Sequence, residues 1–151
     1  AADASYRVDS NWYLDSGSNE NITSELEKMT MHEKYHGQDH VHTTENGPGM
    51  MISHVGESII QNPHRDILVD DVLHIPNASK NLLSVHRITL DNGVFIEFHP
   101  FFFLIKDQVT RRVLYRGRCV QGLYPLIPKF PSSISKPMES SKCLQNDGII
   151  I

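Results

Sequence analysis

Short apolar segments, each bounded by turn residues, are the feature that most limits how this chain can fold. Residues 67–75 read ILVDDVLHI and residues 94–98 read VFIEF, both rich in the β-branched and aromatic side chains that strands favour. Between such segments lie turn residues, as in DNG at 91–93 and ENGPG at 45–49. The sequence therefore predicts a mainly β fold of short strands, in which residues 41–55 form a hairpin.

Two segments favour helices instead. In residues 24–32 a serine at Ser24 is followed three residues later by Glu27, which is the spacing of a capping box. Residues 81–90 carry apolar side chains at helical spacing, and Gly93 follows where a helix commonly ends. We therefore predict one helix over residues 81–90, in the C-terminal half, and a shorter one over residues 24–32.

The composition divides the chain into a folded unit and two polar ends. Residues 1–10 are small and polar without periodicity, and residues 129–151 are rich in Ser, Pro and Lys, so neither end can bury much apolar surface. The length of 151 residues and a hydrophobic content of 39% suit one domain. The prediction is a linker at 1–10, a domain at 11–128 and a flexible tail at 129–151.

Charge and cysteine content bear on partners and location. The net charge is −4 and no basic cluster is present, which argues against nucleic-acid binding. The apolar run from Phe101 to Ile105 is too short to span a bilayer, and no secretory leader opens the chain. Cys119 and Cys143 are expected to be free thiols. These features predict an intracellular, cytoplasmic protein or a fragment of one, with no membrane partner.

Histidines crowd one polar stretch of the sequence. On a helix His32, His36 and His40 would share a face, with His42 close behind, and could hold a divalent metal ion. The glycine at Gly37 and its polar neighbours favour a solvated loop, where that spacing has no geometric meaning. We therefore predict no metal site.

The stretch WYLDSG at residues 12–17 places an acid directly after an apolar strand. A turn is one explanation, because Asp, Ser and Gly are all turn residues. Aspartic peptidase chemistry is the other. It requires a carboxylate, here Asp15, at the start of a tight loop, a hydroxyl such as that of Ser16 to hold the loop, and a glycine such as Gly17 to allow close approach.

Such chemistry requires a second carboxylate, because two acids share one proton around the attacking water. Asp91 follows a predicted helix and Asp147 lies in the predicted tail, so neither repeats the strand context of Asp15. A peptidase with one such motif must therefore take its second acid from another copy across a two-fold axis.

Further segments carry a resemblance, in order along residues 11–127. They are WYLDSG (12–17), ITSELEKM (22–29), GMMISHVG (49–56), DVLHIPNASKNLLSVHRIT (71–89), DNGVFIEFHPFFFLIKD (91–107) and GRCVQGLYPL (117–126). With these segments the chain resembles the protease region of the Pol polyprotein of copia-type LTR retrotransposons, close to the versions found in plants.

The resemblance implies a retropepsin-like domain, a closed β-barrel lobe that dimerises and supplies one catalytic aspartate per subunit. Asp15 would be that aspartate, and Ser16, Gly17 and Ser18 would form its loop. The NLLS stretch at 81–84 would occupy the place of the apolar-apolar-Gly motif that precedes the helix in retroviral relatives.

The resemblance also implies a lid and a substrate. The hairpin tip, formed by Glu45, Asn46, Gly47, Pro48 and Gly49, is the candidate flap over the cleft. The implied function is that of a homodimeric aspartic endopeptidase, without a cofactor, that processes the Gag-Pol polyprotein. An active element would do so in the cytoplasm, within a virus-like particle.

The sequence departs from the family pattern just after the proposed catalytic loop. Ser18 stands where alanine is common, Asn21 stands where histidine is usual, and Glu20 adds a negative charge nearby. No atom that the mechanism requires is lost. These departures leave a second interpretation open, a catalytically inactive β-barrel that serves as an interaction or scaffold module.

Two apolar features have structural interpretations. The cluster from Phe101 to Leu104 is predicted to be core, with a dimer seam as the alternative. Trp12 is predicted to be a packing anchor rather than a substrate contact.

Overall fold

The structure, a computed structural model, describes residues 10–42 and 47–127. Within these residues the chain forms one α-helix, α1 (Val85–Asn92), a single 3-10 turn at Leu26–Lys28, and strands that dominate the fold. The strands are β1 (Trp12–Asp15), β2 (Asn21–Thr23), β3 (Met31–Lys34), β4 (His40–Val41), β5 (Met50–Met51), β6 (His54–Ile60), β7 (Ile67–His74), β8 (Asn81–Ser84), β9 (Val94–Phe98), β10 (Phe102–Asp107), β11 (Val113–Arg118) and β12 (Pro125–Leu126).

Seven of the strands form one mixed sheet in the order β12-β1-β8-β2-β7-β6-β3. In this sheet β1 runs parallel to β8 and antiparallel to β12. The pairing of β2 with β7 is also parallel, while β7 with β6 and β6 with β3 are antiparallel. The first strand of the domain is therefore enclosed by strands from its C-terminal half.

The longest strand, β7, shows why the ILVDDVLHI segment has an interrupted pattern. Ile67 and Val69 are buried in alternation, and the next buried residues are Val72 and His74. The alternation of buried and exposed residues is therefore shifted by one position between Val69 and Val72. Asp71 has a positive φ of 49°, and the register with β6 shifts at the same point. A β-bulge of this kind inserts one residue, so apolar side chains on both sides of it face the core.

The helix prediction over residues 81–90 is corrected by the structure. Residues Asn81–Ser84 form strand β8, and the helix begins at Val85 and continues to Asn92. Leu83 is completely buried within the sheet, beside β1, and Ser84 caps the helix by accepting a hydrogen bond from the Arg87 amide. The predicted stop at Gly93 is confirmed, since Gly93 adopts a left-handed conformation with φ 59°.

The shorter helix predicted over residues 24–32 is wrong. Only Leu26–Lys28 makes a 3-10 turn, and Met31–Lys34 extends into strand β3. Thr23, rather than Ser24, organises the local turn, because its hydroxyl accepts a hydrogen bond from the Glu25 amide at 3.0 Å.

A second sheet of three strands, in the order β11-β10-β9, contains the phenylalanine cluster. Phe102, Phe103 and Leu104 are buried, as predicted for core residues, whereas Phe101 is 71% exposed. Gly117 lies opposite Phe103 in the register, and a Cβ there would come within 2.3 Å of the Phe103 ring. The glycine therefore leaves the space that the ring occupies.

The core supports the interpretation of Trp12 as a packing anchor. Trp12 is 2% exposed and belongs to one apolar cluster with Leu83, Ile88, Phe103 and Leu126. This cluster joins the seven-stranded sheet, the helix and the three-stranded sheet. It explains how strands distant in sequence hold β1 in place.

The mainly β class with one helix in the C-terminal half is confirmed. Among the described residues no sheet closes into a barrel, because β12 and β3 remain as edges of the large sheet. No helix in this part of the chain is both long and apolar enough to cross a membrane. The predicted linker, apart from residue 10, and the predicted tail lie outside the described residues.

Candidate active site

Asp15 is the last residue of β1 and begins a tight loop. The Gly17 amide donates a hydrogen bond of 2.8 Å to the Asp15 Oδ1, and the Ser18 amide lies 3.4 Å from the Asp15 carbonyl oxygen. A Cβ at Gly17 would come within 3.3 Å of that carboxylate oxygen, so a side chain there would crowd the acid. A backbone amide of the loop itself, that of Gly17, therefore binds the Asp15 carboxylate.

The strand that carries Asp15 is held on both sides. Asp15 pairs with Ser84 of β8, and Trp12 pairs with Leu126 of β12. Leu14 is buried, whereas Ser16 and Gly17 are exposed. An exposed polar loop therefore follows a strand that burial and pairing fix in position.

NLLS (81–84) lies directly beside the aspartate loop and leads straight into α1. The stretch precedes the helix, as the resemblance implied. Ser84 is fully buried, and its amide donates a 2.8 Å hydrogen bond to the Asn21 Oδ1. The Ser84 hydroxyl caps the helix by accepting a hydrogen bond from the Arg87 amide.

Asn21, one of the departures from the family pattern, has a structural role. Its side chain is 1% exposed, and its Nδ2 donates a 2.7 Å hydrogen bond to the Asp70 carbonyl oxygen. Through the Ser84 amide and this carbonyl, Asn21 links β8 to β7 across β2. Sequence reasoning missed this role, and the available signal was a polar residue at the start of a short buried strand.

The other departures shape the loop after Gly17. The Ser18 hydroxyl donates to the Glu20 carbonyl oxygen at 2.7 Å and lies 3.3 Å from the Glu20 amide. Ser18 therefore closes a second small turn. Glu20 is partly exposed and has no ion pair among the described residues.

One chain brings a single aspartate to this loop. In the described part of the chain, the hydrogen bonds to the Asp15 carboxylate come only from its own loop. A cavity of about 340 Å³ lies elsewhere, near Trp12, Lys28, Ser58 and Asp66, and none of residues 15–18 lines it. Among the described residues no second carboxylate is hydrogen-bonded to Asp15, and this cavity does not include the aspartate loop.

The candidate flap is partly described. His40 pairs with Met51 and Val41 with Met50, so the predicted hairpin forms as a separate two-stranded ribbon. It is shorter than predicted, since β6 begins at His54 and pairs with other strands. Gly47, Pro48 and Gly49 belong to the described part of the tip, whereas Glu45 and Asn46 lie outside it.

The crowded histidines do not meet as the helical spacing would require. His32 lies on β3, His40 lies on β4, His36 lies between them, and the His42 Nδ1 contacts the Gly47 carbonyl oxygen at 3.2 Å. Across residues 10–42 and 47–127, no group of three or more His, Cys, Asp or Glu side chains could hold a metal ion. Cys119 is a free thiol, and Cys143 lies beyond the described residues.

A different pair of histidines comes together, and the sequence analysis missed it. His54 begins β6 and His74 ends β7; the two are opposite each other, with their Nδ1 atoms 3.3 Å apart. Burial is the main cause that lowers the pKa of His74, and the neighbouring His54 lowers that pKa further. Since the two residues are twenty positions apart, only the strand register could reveal the pair.

Comparison with known proteins identifies the family of this chain. The family described as "Pol polyprotein, beta-barrel domain" matches residues 12–94, more than half of the 151 residues. The chain belongs to this family. The match begins at the strand that leads to Asp15 and ends just after α1.

Two relatives indicate which type of Pol polyprotein the chain resembles. The chain is 36% identical over 128 residues to the "Retrovirus-related Pol polyprotein from transposon RE1" of Arabidopsis thaliana, covering 85% of this chain and 8% of that protein. It is also 36% identical over 138 residues to the transposon RE2 polyprotein of the same plant, covering 87% of this chain and 9% of the relative. The resemblance to a copia-type Pol polyprotein is confirmed.

The chain thus spans less than a tenth of the length of these curated relatives. No solved structure gave a significant match.

Proposed function

We propose that this chain is the retropepsin-like aspartic endopeptidase of a copia-type Pol polyprotein and acts as a homodimer. The observation that carries the proposal is the loop at Asp15. A strand paired on both sides presents one carboxylate, the Gly17 amide holds that carboxylate, and the loop residues beside it are exposed. Membership in the Pol family supports the context of a polyprotein.

The chemistry follows from joining two such loops. When two Asp15 carboxylates meet across a two-fold axis, they cannot both ionise at close range, so they share one proton. The ionised acid takes a proton from the attacking water, and the protonated acid polarises the scissile carbonyl. The Gly17 amide orients the carboxylate by its hydrogen bond, while the paired strand limits the movement of the acid.

The partner subunit supplies what the described residues of one chain do not. It provides the second acid, and its surface completes a cleft around the exposed loop. The hairpin of β4 and β5 is the candidate lid, because it is a separate ribbon that can move without breaking the large sheet. The proposed substrate is the Gag-Pol polyprotein, processed in the cytoplasm or within a virus-like particle, and no cofactor is required.

The experiment uses the 151-residue chain expressed within its flanking polyprotein sequence. We expect cleavage at the flanking junctions by the wild type and its loss, by about a thousandfold or more, in Asp15→Asn, because the substituted amide cannot accept the proton from water. Asp91→Asn is the matched control, since Asp91 is an exposed acid on α1.

Sedimentation of the same proteins tests the dimer. A dimer that cleaves no junction, or equal cleavage by wild type and Asp15→Asn, would contradict the peptidase proposal. The first outcome would favour the inactive scaffold module, and the second would show that the cleavage does not depend on Asp15. A strict monomer at high protein concentration would also exclude a dyad built from one aspartate per chain.

A further inference from the structure

The histidine pair at the start of β6 and the end of β7 has no part in the proposed peptidase chemistry. It lies away from Asp15 in the register of the sheet. Asp15 pairs with Ser84 at one end of β1 and β8, which leaves Asn81 at the other end. Thr23 contacts Asn81 through its hydroxyl at 2.7 Å and pairs with His74, so the histidines lie towards the Asn81 end.

Two imidazole nitrogens meet at this place, and a serine hydroxyl forms a hydrogen bond with one of them. The Nδ1 atoms of His54 and His74 are 3.3 Å apart, and the Ser53 hydroxyl oxygen lies 2.7 Å from the His54 Nδ1. Two donors bound tetrahedrally at about 2.0–2.1 Å from one zinc ion lie roughly 3.3–3.4 Å apart. The two imidazole nitrogens are therefore already at the separation that one ion would impose.

The surroundings orient these donors. The His74 Nε2 lies 3.3 Å from the Ser24 carbonyl oxygen, so a proton on Nε2 leaves the Nδ1 lone pair free to face His54. A backbone carbonyl on the far nitrogen is the usual support of a metal-bound histidine. The Ser53 amide also donates to the His74 carbonyl oxygen at 2.8 Å, which fixes the strand ends against each other.

One acidic group and several basic groups surround the histidine pair. Glu27 acts on His74 by its negative charge, and the His32 ring lies 5.4 Å from the His54 ring in an edge-on contact. Lys34 pairs with His54 in the register but is exposed, so its ammonium can extend into solvent. The two imidazoles would be the protein ligands, and water would complete the coordination of the ion.

We propose that His54 and His74 bind a divalent transition-metal ion such as Zn²⁺ or Ni²⁺. Imidazole is a ligand that suits both ions. The ion joins β6 to β7 next to the residues that lead out of the β4–β5 hairpin. It therefore stabilises the folded chain as its concentration rises.

The test is a titration of the whole 151-residue chain, freed of metal, with zinc chloride and nickel chloride in a calorimeter. We expect one ion per chain and at least about a tenfold loss of affinity in His54→Gln. His86→Gln is the matched control, because His86 is exposed on α1 and should leave the affinity unchanged. Equal binding by wild type and His54→Gln would overturn the proposal, as would no binding by the folded wild type.

A second measurement needs no variant. Substoichiometric Ni²⁺ should broaden the NMR signals of His54 and His74 and of their neighbours on β6 and β7. Broadening confined to His36, His40 and His42 would show binding by the crowded exposed histidines instead and would overturn the assignment. Neither measurement involves cleavage, so the metal-binding proposal can fail or succeed independently of the peptidase proposal.

Discussion

Strand β1, inside the large sheet, and strand β3, at one edge of it, differ in how they are held. β1 has a neighbour on each side and three buried residues, whereas all four residues of β3 are exposed and pair only with β6. Asp15 stands at the end of β1, and the histidine pair lies on β6 and β7, next to β3. The proposed catalytic acid is therefore on a strand that pairing and burial hold on both sides, whereas the histidines are close to an exposed strand that has one neighbour.

The largest expected effect is the loss of stability when a buried side chain beside β1 is removed. Leu83→Ala removes a side chain that is 0% exposed beside β1, and the cavity should lower the free energy of unfolding by about 2–5 kcal/mol. Met31→Ala on β3 is the control; Met31 is 67% exposed, so its change should stay within about 0.5 kcal/mol. Denaturant unfolding measures the stability of both variants, and similar losses would refute the distinction between the strands around β1 and the exposed edge strand β3.

An intermediate effect tests the polar link behind the aspartate loop. Asn21→Ala leaves the buried Ser84 amide and the Asp70 carbonyl without this partner, which should cost about 1–3 kcal/mol. Asn19→Ala serves as control, because Asn19 is exposed in the same loop region. Thermal unfolding compares the two variants, and an unchanged melting temperature in Asn21→Ala would show that water replaces the link.

The smallest expected effect concerns a surface contact of the three-stranded sheet. Lys106, bonded to Glu97 at 2.7 Å, is the main cause that lowers the pKa of Glu97, followed by His99. Because the folded-state pKa is lowered, the ionised form stabilises the fold above the ordinary value of 4.5, and this contribution disappears as the pH falls through the lowered pKa. Solvent screens this exposed contact, so the contribution is small.

Unfolding of wild type and Glu97→Gln between pH 3 and 7 measures that contribution. The wild type should be the more stable protein at neutral pH, and the difference should vanish at the acidic end. A difference that is independent of pH would show that the glutamate acts through packing rather than charge.

How far the sequence predicts this molecule depends on the range of the contacts involved. The C-terminal stop of α1 follows from Gly93, and the β class follows from the alternation of residues such as Ile67 and Val69, because both signals are local. The start of the helix could not be placed, since Leu82 and Leu83 suit a helix as well as a buried strand. Their parallel pairing with β1, almost seventy residues away, decided between the two.

In the candidate site, too, local features could be predicted from the sequence and long-range contacts could not. The loop at Asp15 was identified from three adjacent residues, and the structure shows a carboxylate held by the Gly17 amide. The role of Asn21 could not be predicted, because its partners, Ser84 and Asp70, come from distant strands.

The sequence by itself determined the class of the fold, the family and the place where an acid ends a buried strand. These features depend on side chains that are neighbours along the chain, because the spacing of apolar residues and the choice of turn residues are local properties of the sequence. Only the tertiary structure decided that NLLS is a strand beside Asp15 and that His54 meets His74 rather than the histidines nearer to it in sequence. The physical reason is that strand register is set by burial across the whole sheet, and no short stretch of sequence contains that information.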